Sequence, residues 1–261
     1  MANIEADDGI RESLIKARKE ETETLARNAL DMIIENMRIA KHERMPMCQD
    51  TGMVDVFVKI GQDVHVSGGL CDDAINEGVR QGYKEGYFRS SIVSDPIKRI
   101  NTGDNTPAVI HYSIVEGAEM KITVMPKGFG SENKSAMKML TPSQGVNGIE
   151  NFIIETVKNA GADPCPPIVV GVGVGGTMEK AALLAKEALS LLWTKTENEF
   201  WAELEERLLG KINGLNIGVA GFKGKTTALG VKILTYPTHI AGMPVAVNIG
   251  CHVSRHKTAV I

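Results

Sequence analysis

Aromatic residues, cysteine and net charge are all scarce in this chain of 261 residues. Phe, Trp and Tyr make up 5% of it, and its 4 cysteines are too sparse for a disulfide scaffold. The 29 Lys and Arg nearly balance the 32 Asp and Glu. The net charge of −3 therefore provides no electrostatic reason to expect nucleic acid or an acidic membrane as a partner.

Long apolar runs are missing as well. The two longest uncharged stretches, 164–178 and 239–254, contain Gly, Pro, Asn or His and fall short of the ~20 apolar residues of a membrane span. The start of the chain, Met1–Asp8, is acidic and lacks the apolar segment of a secretory signal. The sequence therefore predicts a soluble, cytoplasmic protein without a membrane partner.

Glycine, by contrast, is abundant: its 27 residues favour turns and loops that approach a ligand closely. The hydrophobic fraction of 43% and the charged fraction of 23% are those of a globular chain, which excludes disorder and a coiled-coil rod. No internal repeat or linker interrupts the sequence. We therefore expect one domain over residues 1–261, and leave open whether it divides into two lobes.

Hydrophobic periodicity predicts both helices and strands. Residues 9–40 show helical spacing, and residues 53–60 alternate as a strand does. Residues 108–115 and 119–125 predict two strands paired across a short turn, whereas residues 133–140 predict a helix. Together these patterns indicate an α+β fold of mixed helices and a mainly antiparallel sheet.

A glycine-rich run, Gly171–Gly176, matches the GxGxxG pattern of dinucleotide-binding folds. It follows a predicted short strand and is expected to form a turn into a helix, which is the context that such a site requires. The residues after that helix, 194–206, read as another helix instead of a strand ending in a ribose-binding acid. A turn whose amides line some other anionic site is the better interpretation.

The four cysteines show no CxxC pair, so a closed zinc site built from local pairs is not supported. Cysteine taken alone is more often a small buried hydrophobic residue than a ligand. Three of them nevertheless stand in predicted loops with polar, Pro or Gly neighbours, and three thiolates converging from three loops could hold a cluster. These are Cys48, Cys165 and Cys251, whereas Cys71 begins a predicted helix and has a structural role.

Two further segments carry polar groups that suit an anion. Lys127–Lys134 combines glycines with Ser, Asn and Lys at a predicted helix start, where backbone N–H groups and a cation can bind a carboxylate or phosphate. A helix capped by Ser131 explains the same residues equally well. His239 lies in a loop between two apolar segments, and a single loop histidine is usually structural.

Taken together, these segments resemble the iron–sulfur hydro-lyases that comprise class I fumarate hydratases and L(+)-tartrate dehydratases. The resemblance runs from about the first helix to the C-terminus, and it rests on five motifs in one order. They are Cys48–Gly52 (CQDTG), Asn101–Asn105 (NTGDN), the Lys127–Lys134 loop, Gly173–Thr177 (GVGGT), and His239 ahead of Cys251. The chain resembles a separate α subunit, and the resemblance implies a β subunit that completes the active site.

The resemblance implies a [4Fe–4S] cluster held by Cys48, Cys165 and Cys251, with Cys71 matching no ligand. The fourth iron carries no protein thiolate, so it is implied to act as a Lewis acid on the substrate.

The substrate is implied to be a C4 dicarboxylate. Gln49, Asp50, Arg89, Gly130 and His239 match residues that contact it, and Lys134 is a weaker candidate for anion binding. Asp50 and His239 are implied to be catalytic, with Asp50 assisting proton transfer. The base itself is implied to be a threonine of the β subunit. Phe129 interrupts a glycine run that single-chain members keep.

Reversible hydration of fumarate to (S)-malate is the main functional hypothesis, for an enzyme active only with its β subunit. Dehydration of L(+)-tartrate to oxaloacetate is the alternative within the same family. Two hypotheses of other classes remain: an NAD-binding oxidoreductase built on Gly171–Gly176, and a non-catalytic binding protein whose cysteines are merely buried.

Overall fold

A computed structural model describes residues 1–261, and the chain forms two compact units. Unit 1 consists of Met1–Ala6, Asn36–Phe129 and Arg255–Ile261, and unit 2 consists of Asp7–Glu35 and Gly130–Ser254. No helix is both long enough and apolar enough to cross a membrane.

Seven α-helices and eight strands build these units. The helices are α1 (Asp8–Glu20), α2 (Thr24–Glu43), α3 (Cys71–Glu85), α4 (Phe129–Glu132), α5 (Gly145–Ala160), α6 (Met178–Ser190) and α7 (Glu199–Asn213). The strands are β1 (Met53–Gly61), β2 (Val109–Val115), β3 (Met120–Lys127), β4 (Ala136–Leu140), β5 (Ile168–Gly175), β6 (Ala228–Tyr236), β7 (Met243–Gly250) and β8 (Lys257–Val260).

Unit 1 is a four-stranded sheet with strand order β2-β1-β3-β8 and helix α3 on one face. The predicted alternation in β1 is confirmed, because Val54, Val56 and Val58 pack with Val79 and Tyr83 of α3 in one apolar cluster. Cys71 is the first residue of α3, as predicted.

The predicted pairing of the two following strands is wrong. β2 and β3 both form, but each pairs with β1, parallel for β2 and antiparallel for β3. The physical reason is burial: β1 has buried residues over most of its length, whereas the second half of β2 is exposed. The most apolar strand takes the centre of the sheet, and β2 is left at its edge.

Unit 2 has three layers around a second four-stranded sheet with strand order β4-β7-β5-β6. Helices α5 and α7 cover one face, where they share the largest apolar cluster with β5, β6 and β7. Helix α6 covers the other face, where Ala181 and Ala185 meet Ala246. Four of the six strand pairings in the two sheets are antiparallel, so the predicted α+β class with a mainly antiparallel sheet is confirmed.

The glycine-rich run does not form the predicted turn, because β5 continues through it to Gly175. A Cβ on Gly171 would lie 2.2 Å from the carbonyl oxygen of Ala185, and one on Gly173 would lie 2.0 Å from that of Ala181. These glycines therefore let α6 pack directly on the strand backbone. Close helix–strand contact explains them without a dinucleotide.

The helix predicted over 133–140 is also wrong. Its second half forms the edge strand β4, which pairs antiparallel with β7 from Ala136–Val247 to Leu140–Met243. Leu140 is buried in the core of unit 2, while Lys138 and Met139 are exposed. Pairing with β7 overrides the local helical pattern, since the backbone groups at the sheet edge gain hydrogen-bond partners.

Candidate functional site

The loop Cys48–Gly52 of unit 1 ends on a glycine that no other residue can replace without movement. Gly52 has a φ of +81°, and a Cβ built on it would lie 2.8 Å from the backbone nitrogen of Lys127. Both the left-handed backbone and the close approach to β3 require glycine. This explains why the CQDTG motif ends in glycine.

Thr51 joins this loop to the segment that carries Arg89. Its side chain is buried, and its Oγ1 donates a hydrogen bond of 2.9 Å to the carbonyl oxygen of Arg89. The Tyr83 hydroxyl donates to the carbonyl oxygen of Thr51 at 2.5 Å, and burial raises the pKa of Tyr83 to about 12. The Gln49–Asp50 pair and Arg89 are therefore held in one fixed backbone frame.

The NTGDN motif strengthens the same frame. Asn105 is fully buried; its Nδ2 donates to the carbonyl oxygen of Gly52 at 3.1 Å, and its Oδ1 accepts from the backbone N–H of Ser91 at 2.8 Å. Asn101 Nδ2 donates to the carbonyl oxygen of Ser90 at 2.9 Å. The motif therefore fixes the backbone of the segment that follows Arg89. The Arg89 side chain itself is exposed and accessible to a ligand.

The carboxylate of Asp50 accepts two backbone hydrogen bonds. Its Oδ1 accepts from the backbone N–H of Gly52 at 3.0 Å, and its Oδ2 accepts from that of Phe129 at 2.9 Å. Gly128 leaves room for this carboxylate, because a Cβ there would stand 3.0 Å from Oδ2. The neighbouring Gln49 is exposed. Two N–H donors thus orient a partly accessible carboxylate, and the neighbour of Asp50 in the chain carries an exposed amide.

In unit 2, the loops that carry two of the cysteines are joined by a hydrogen bond. His252 Nδ1 lies 2.9 Å from the carbonyl oxygen of Cys165, so the loop after Cys251 is attached to the backbone of the Cys165 loop. Burial lowers the pKa of the His252 imidazole, because desolvation disfavours its charged form. A neutral imidazole protonated on Nδ1 is the form that donates to a carbonyl.

The predicted glycine loop is attached to the end of β7, just before Cys251. Lys186 Nζ donates to Glu132 Oε1 at 2.6 Å, and Asn248 Nδ2 donates to Glu132 Oε2 at 3.1 Å. The Ile249 N–H donates to Ser135 Oγ at 3.1 Å. Gly130 remains exposed, so its backbone is accessible to an anion.

Lys134, the weaker predicted anion ligand, already has a partner in unit 2. Its Nζ lies 2.5 Å from Asp163 Oδ2, close in sequence to Cys165. The lysine side chain is 31% exposed and that of the aspartate 68% exposed, so the ion pair is accessible to solvent. An incoming anion would compete with Asp163 for this cation.

His239 lies in the exposed loop between β6 and β7, as the sequence predicted. Its Nδ1 accepts from the backbone N–H of Ala241 at 3.2 Å, which leaves the other ring nitrogen to face solvent. Thr238 Oγ1 donates to the carbonyl oxygen of Gly176 at 2.9 Å, so the GVGGT motif supports the histidine loop.

Comparison with known proteins identifies the family. A sequence profile described as fumarate hydratase (Fumerase) matches residues 1–260. The chain belongs to this family. The predicted resemblance is confirmed, and the chain is a hydro-lyase.

Relatives with curated names cover nearly the whole chain. One from Methanocaldococcus jannaschii, named "Putative L(+)-tartrate dehydratase subunit alpha", is 42% identical over 261 residues, which is 97% of this chain and 91% of the relative. The L(+)-tartrate dehydratase subunit alpha of Escherichia coli (strain K12) is 30% identical over 266 residues, covering 100% and 87%. The protein of that name from Shigella sonnei has the same identity and coverage.

The predicted site residues of this family member divide between its two units. Unit 1 carries Cys48, Gln49, Asp50 and Arg89, and unit 2 carries Gly130, Lys134, Cys165, His239 and Cys251. None of the four cysteines is in a disulfide bond; Cys165 is exposed, and the other three are partly exposed. No three His, Cys, Asp or Glu side chains lie close enough together to form a ready metal site.

Sequence reasoning missed the residues that hold the site in place. Four of these, Gly52, Thr51, Asn105 and Glu132, lie inside the recognised motifs but were given no role of their own. Tyr83 and Arg255, which donate to the carbonyl oxygens of Thr51 and Asp50, lie outside every motif. Thr51 and Asn105 are small polar residues within loop motifs, which is a weak signal for buried hydrogen bonding. Tyr83 and Arg255 carry no sequence signal, because their partners are distant in the chain.

Proposed function

We propose that this chain is the cluster-bearing α subunit of a two-subunit hydro-lyase that reversibly hydrates fumarate to (S)-malate. The observation that supports this most directly is the frame of unit 1. It holds an oriented carboxylate, Asp50, with the exposed side chains of Gln49 and Arg89 on one hydrogen-bonded loop system. A guanidinium suits a substrate carboxylate, and an oriented acid suits proton transfer beside it.

The donor set fits an iron–sulfur cluster. Cys48, Cys165 and Cys251 lie on loops, are at least partly exposed and form no disulfide, and cysteine thiolates are the usual ligands of such clusters. These three would hold a [4Fe–4S] cluster, each as the deprotonated thiolate. When bound, the cluster supplies a Lewis acid, because its fourth iron has no protein ligand.

The chain's own residues bind and orient the C4 dicarboxylate. Arg89 pairs with one carboxylate, and Gln49 donates from its exposed amide. The backbone of Gly130 is exposed and can bind an anionic group, and Lys134 is available if the substrate displaces Asp163. His239 presents its free ring nitrogen to the substrate hydroxyl or carboxylate. Asp50 assists the proton transfer that accompanies addition of water across the double bond, and the base itself belongs to the β subunit.

A β subunit completes this site in our proposal. The curated relatives are named as alpha subunits, and they cover this chain almost end to end. We place the reaction in the cytoplasm, where hydration of fumarate is a step of the tricarboxylic acid cycle.

L(+)-tartrate is the second candidate substrate, and the names of the curated relatives favour it. Tartrate has one more hydroxyl than malate, so a site built for it needs one more polar partner. The chain purified with its β partner is assayed on fumarate, (S)-malate and L(+)-tartrate. A kcat/KM for fumarate at least about tenfold above that for tartrate supports the main proposal. The reverse ratio assigns the enzyme to tartrate.

Cluster ligation is tested separately by anaerobic reconstitution with iron and sulfide. We expect the visible absorption and iron content of a [4Fe–4S] cluster in the parent chain. Cys48→Ser, Cys165→Ser and Cys251→Ser should each lose it, whereas the matched control Cys71→Ser should keep it. Absence of iron from the parent, or loss only in Cys71→Ser, would contradict the proposed ligand set.

A further inference from the structure

Arg255 of unit 1 is a buried arginine with no carboxylate partner. It is 3% exposed and lies two residues before β8. Its Nη2 donates to the carbonyl oxygen of Asp50 at 2.5 Å, and its Nε donates to the carbonyl oxygen of Pro126 at 3.2 Å. Its Nη1 is buried and has no acceptor. This guanidinium therefore joins two backbone segments and leaves part of its hydrogen-bonding capacity unused.

Such an arrangement is a poor source of stability. Burying a charge costs free energy, and a buried donor without an acceptor adds to that cost. Two neutral carbonyls offset the cost less than a carboxylate would, because hydrogen bonds between two charged groups are stronger. What the arginine does provide is geometry, since its planar fork fixes two carbonyl groups at once.

Arg255 fixes the backbone segment that orients the Asp50 carboxylate. The Asp50 carboxylate accepts from the N–H groups of Gly52 and Phe129, and Arg255 fixes the carbonyl of the same residue. A Cβ placed on Gly128 would lie 3.0 Å from Asp50 Oδ2 and 3.7 Å from Arg255 Nη2. The guanidinium and the carboxylate thus both lie next to Gly128, where an added side chain would crowd the carboxylate.

We propose that Arg255 is a positioning residue for Asp50: it locks the Asp50 peptide so that the carboxylate points in the direction that proton transfer requires. This inference rests on the proposed function, in which Asp50 assists proton transfer. A rotated peptide would swing the carboxylate away from its two N–H donors. Displacement of a catalytic group by about 1 Å can lower a rate by about 10²-fold.

Kinetics of the cluster-loaded complex with the β subunit test this proposal. Arg255→Lys keeps the charge but has only a point donor in place of the fork. We expect kcat per cluster to fall by about 10- to 100-fold, while KM stays within about twofold because substrate contacts remain. Lys257→Met is the matched control: Lys257 lies two residues away, pairs only loosely with Glu5 at 3.8 Å, and should leave kcat unchanged.

A double-mutant cycle shows whether Arg255 acts through Asp50. In an Asp50→Asn background, Arg255→Lys should cause no further loss, because the group that it positions is already inactive. Losses that multiply in the double variant would overturn the proposal. An independent variant, Gly128→Ala, crowds the carboxylate while Arg255 stays intact, and it should show the same fall in kcat at constant KM.

Amide hydrogen exchange provides a readout that needs neither cluster nor activity. In the chain alone, Arg255→Lys should speed exchange of the Gly52 and Phe129 amides by about tenfold or more, because the acceptor that both share becomes mobile. Exchange at Val56 in the core of unit 1 should stay as in the parent, which shows that the variant is folded, and Lys257→Met should change none of these. Arg255→Gln serves as the second variant should Arg255→Lys not fold.

The two readouts separate failure of this inference from failure of the proposed function. An inactive parent complex would refute the function, while faster exchange in Arg255→Lys would still show that Arg255 holds Asp50. An active parent with unchanged kcat and unchanged exchange in Arg255→Lys would overturn the inference alone.

Discussion

The two units hold their site residues by different means. In unit 1, buried neutral side chains such as Thr51, Tyr83 and Asn105 hydrogen-bond to the backbone of the site loops. In unit 2, the ion pairs of Lys186 with Glu132 and of Lys134 with Asp163 act beside neutral hydrogen bonds such as that of His252. Neutral buried hydrogen bonds respond little to salt, whereas solvent-accessible ion pairs are screened by it. Salt should therefore weaken the Lys134–Asp163 pair of unit 2 more than the buried hydrogen bonds of unit 1.

The largest effect is expected at Gly52, where the backbone of unit 1 leaves no room for a side chain. Gly52→Ala combines a left-handed φ of +81° with a contact of 2.8 Å to the backbone of Lys127. Strain of this kind costs about 1–3 kcal/mol before the clash is counted. We expect a fall of at least about 3 kcal/mol in the free energy of unfolding, and loss of activity, measured by denaturant titration.

Gly68→Ala is the control for that substitution. Gly68 has a φ of +91°, but nothing lies within 4 Å of the Cβ position. Gly68→Ala should lower the free energy of unfolding only by the cost of the left-handed backbone, about 1–2 kcal/mol. Equal losses in the two variants would mean that the contact with Lys127 does not matter.

The next largest loss of stability is expected when a charged partner is removed in unit 2. Lys186→Met removes the cation that pairs with Glu132, and the side chains of this pair are 16% and 23% exposed. We expect a loss of about 1–3 kcal/mol, below the range for a fully buried pair. The comparison variant Lys195→Met breaks a pair with side chains 81% and 83% exposed and should cost under about 1 kcal/mol. Similar melting temperatures in the two variants would show that the ion pair does not stabilise the Lys127–Lys134 loop.

A smaller effect is expected from a neutral hydrogen bond in unit 1. Thr51→Val keeps the shape but removes the donor to the Arg89 carbonyl, at a cost of about 1–2 kcal/mol. KM for the dicarboxylate should rise several-fold, because Arg89 loses its fixed backbone. Thr123→Val, which breaks only an exposed contact with Thr258, serves as the control. A KM that rises equally in both variants would argue against the frame.

The smallest effect at neutral pH is expected from Asp104, which belongs to the NTGDN motif. Hydrogen bonds from Thr106 and then Arg80 hold the pKa of this carboxyl below its ordinary value of about 4. Its contribution to stability is therefore complete above pH 4 and is lost as the pH falls further. The protection of the amides in residues 101–106, relative to their intrinsic exchange rates, should fall below pH 4 in the parent. Asp104→Asn should show little of this dependence, and an identical profile in both would refute the role of Asp104.

Local patterns predicted those elements whose environment follows from their own residues. The alternation in β1 and the helix that begins at Cys71 are confirmed, because period and polarity are short-range properties. Two predictions were wrong: the pairing of β2 with β3, and the helix over 133–140. In both cases a strand elsewhere in the chain, β1 or β7, provided the better partner. Local propensity carries no information about such a partner.

The family and its motifs can be read from the residue types and their order alone. The same order indicates which side chains could act, from Cys48 to Cys251. How these side chains are held depends on contacts made in the folded chain: Asn105 bonds to Gly52, 53 residues away, and Arg255 bonds to Asp50, 205 residues away. Such contacts form because burial of whole sheet faces brings distant segments together, and no local pattern encodes that choice.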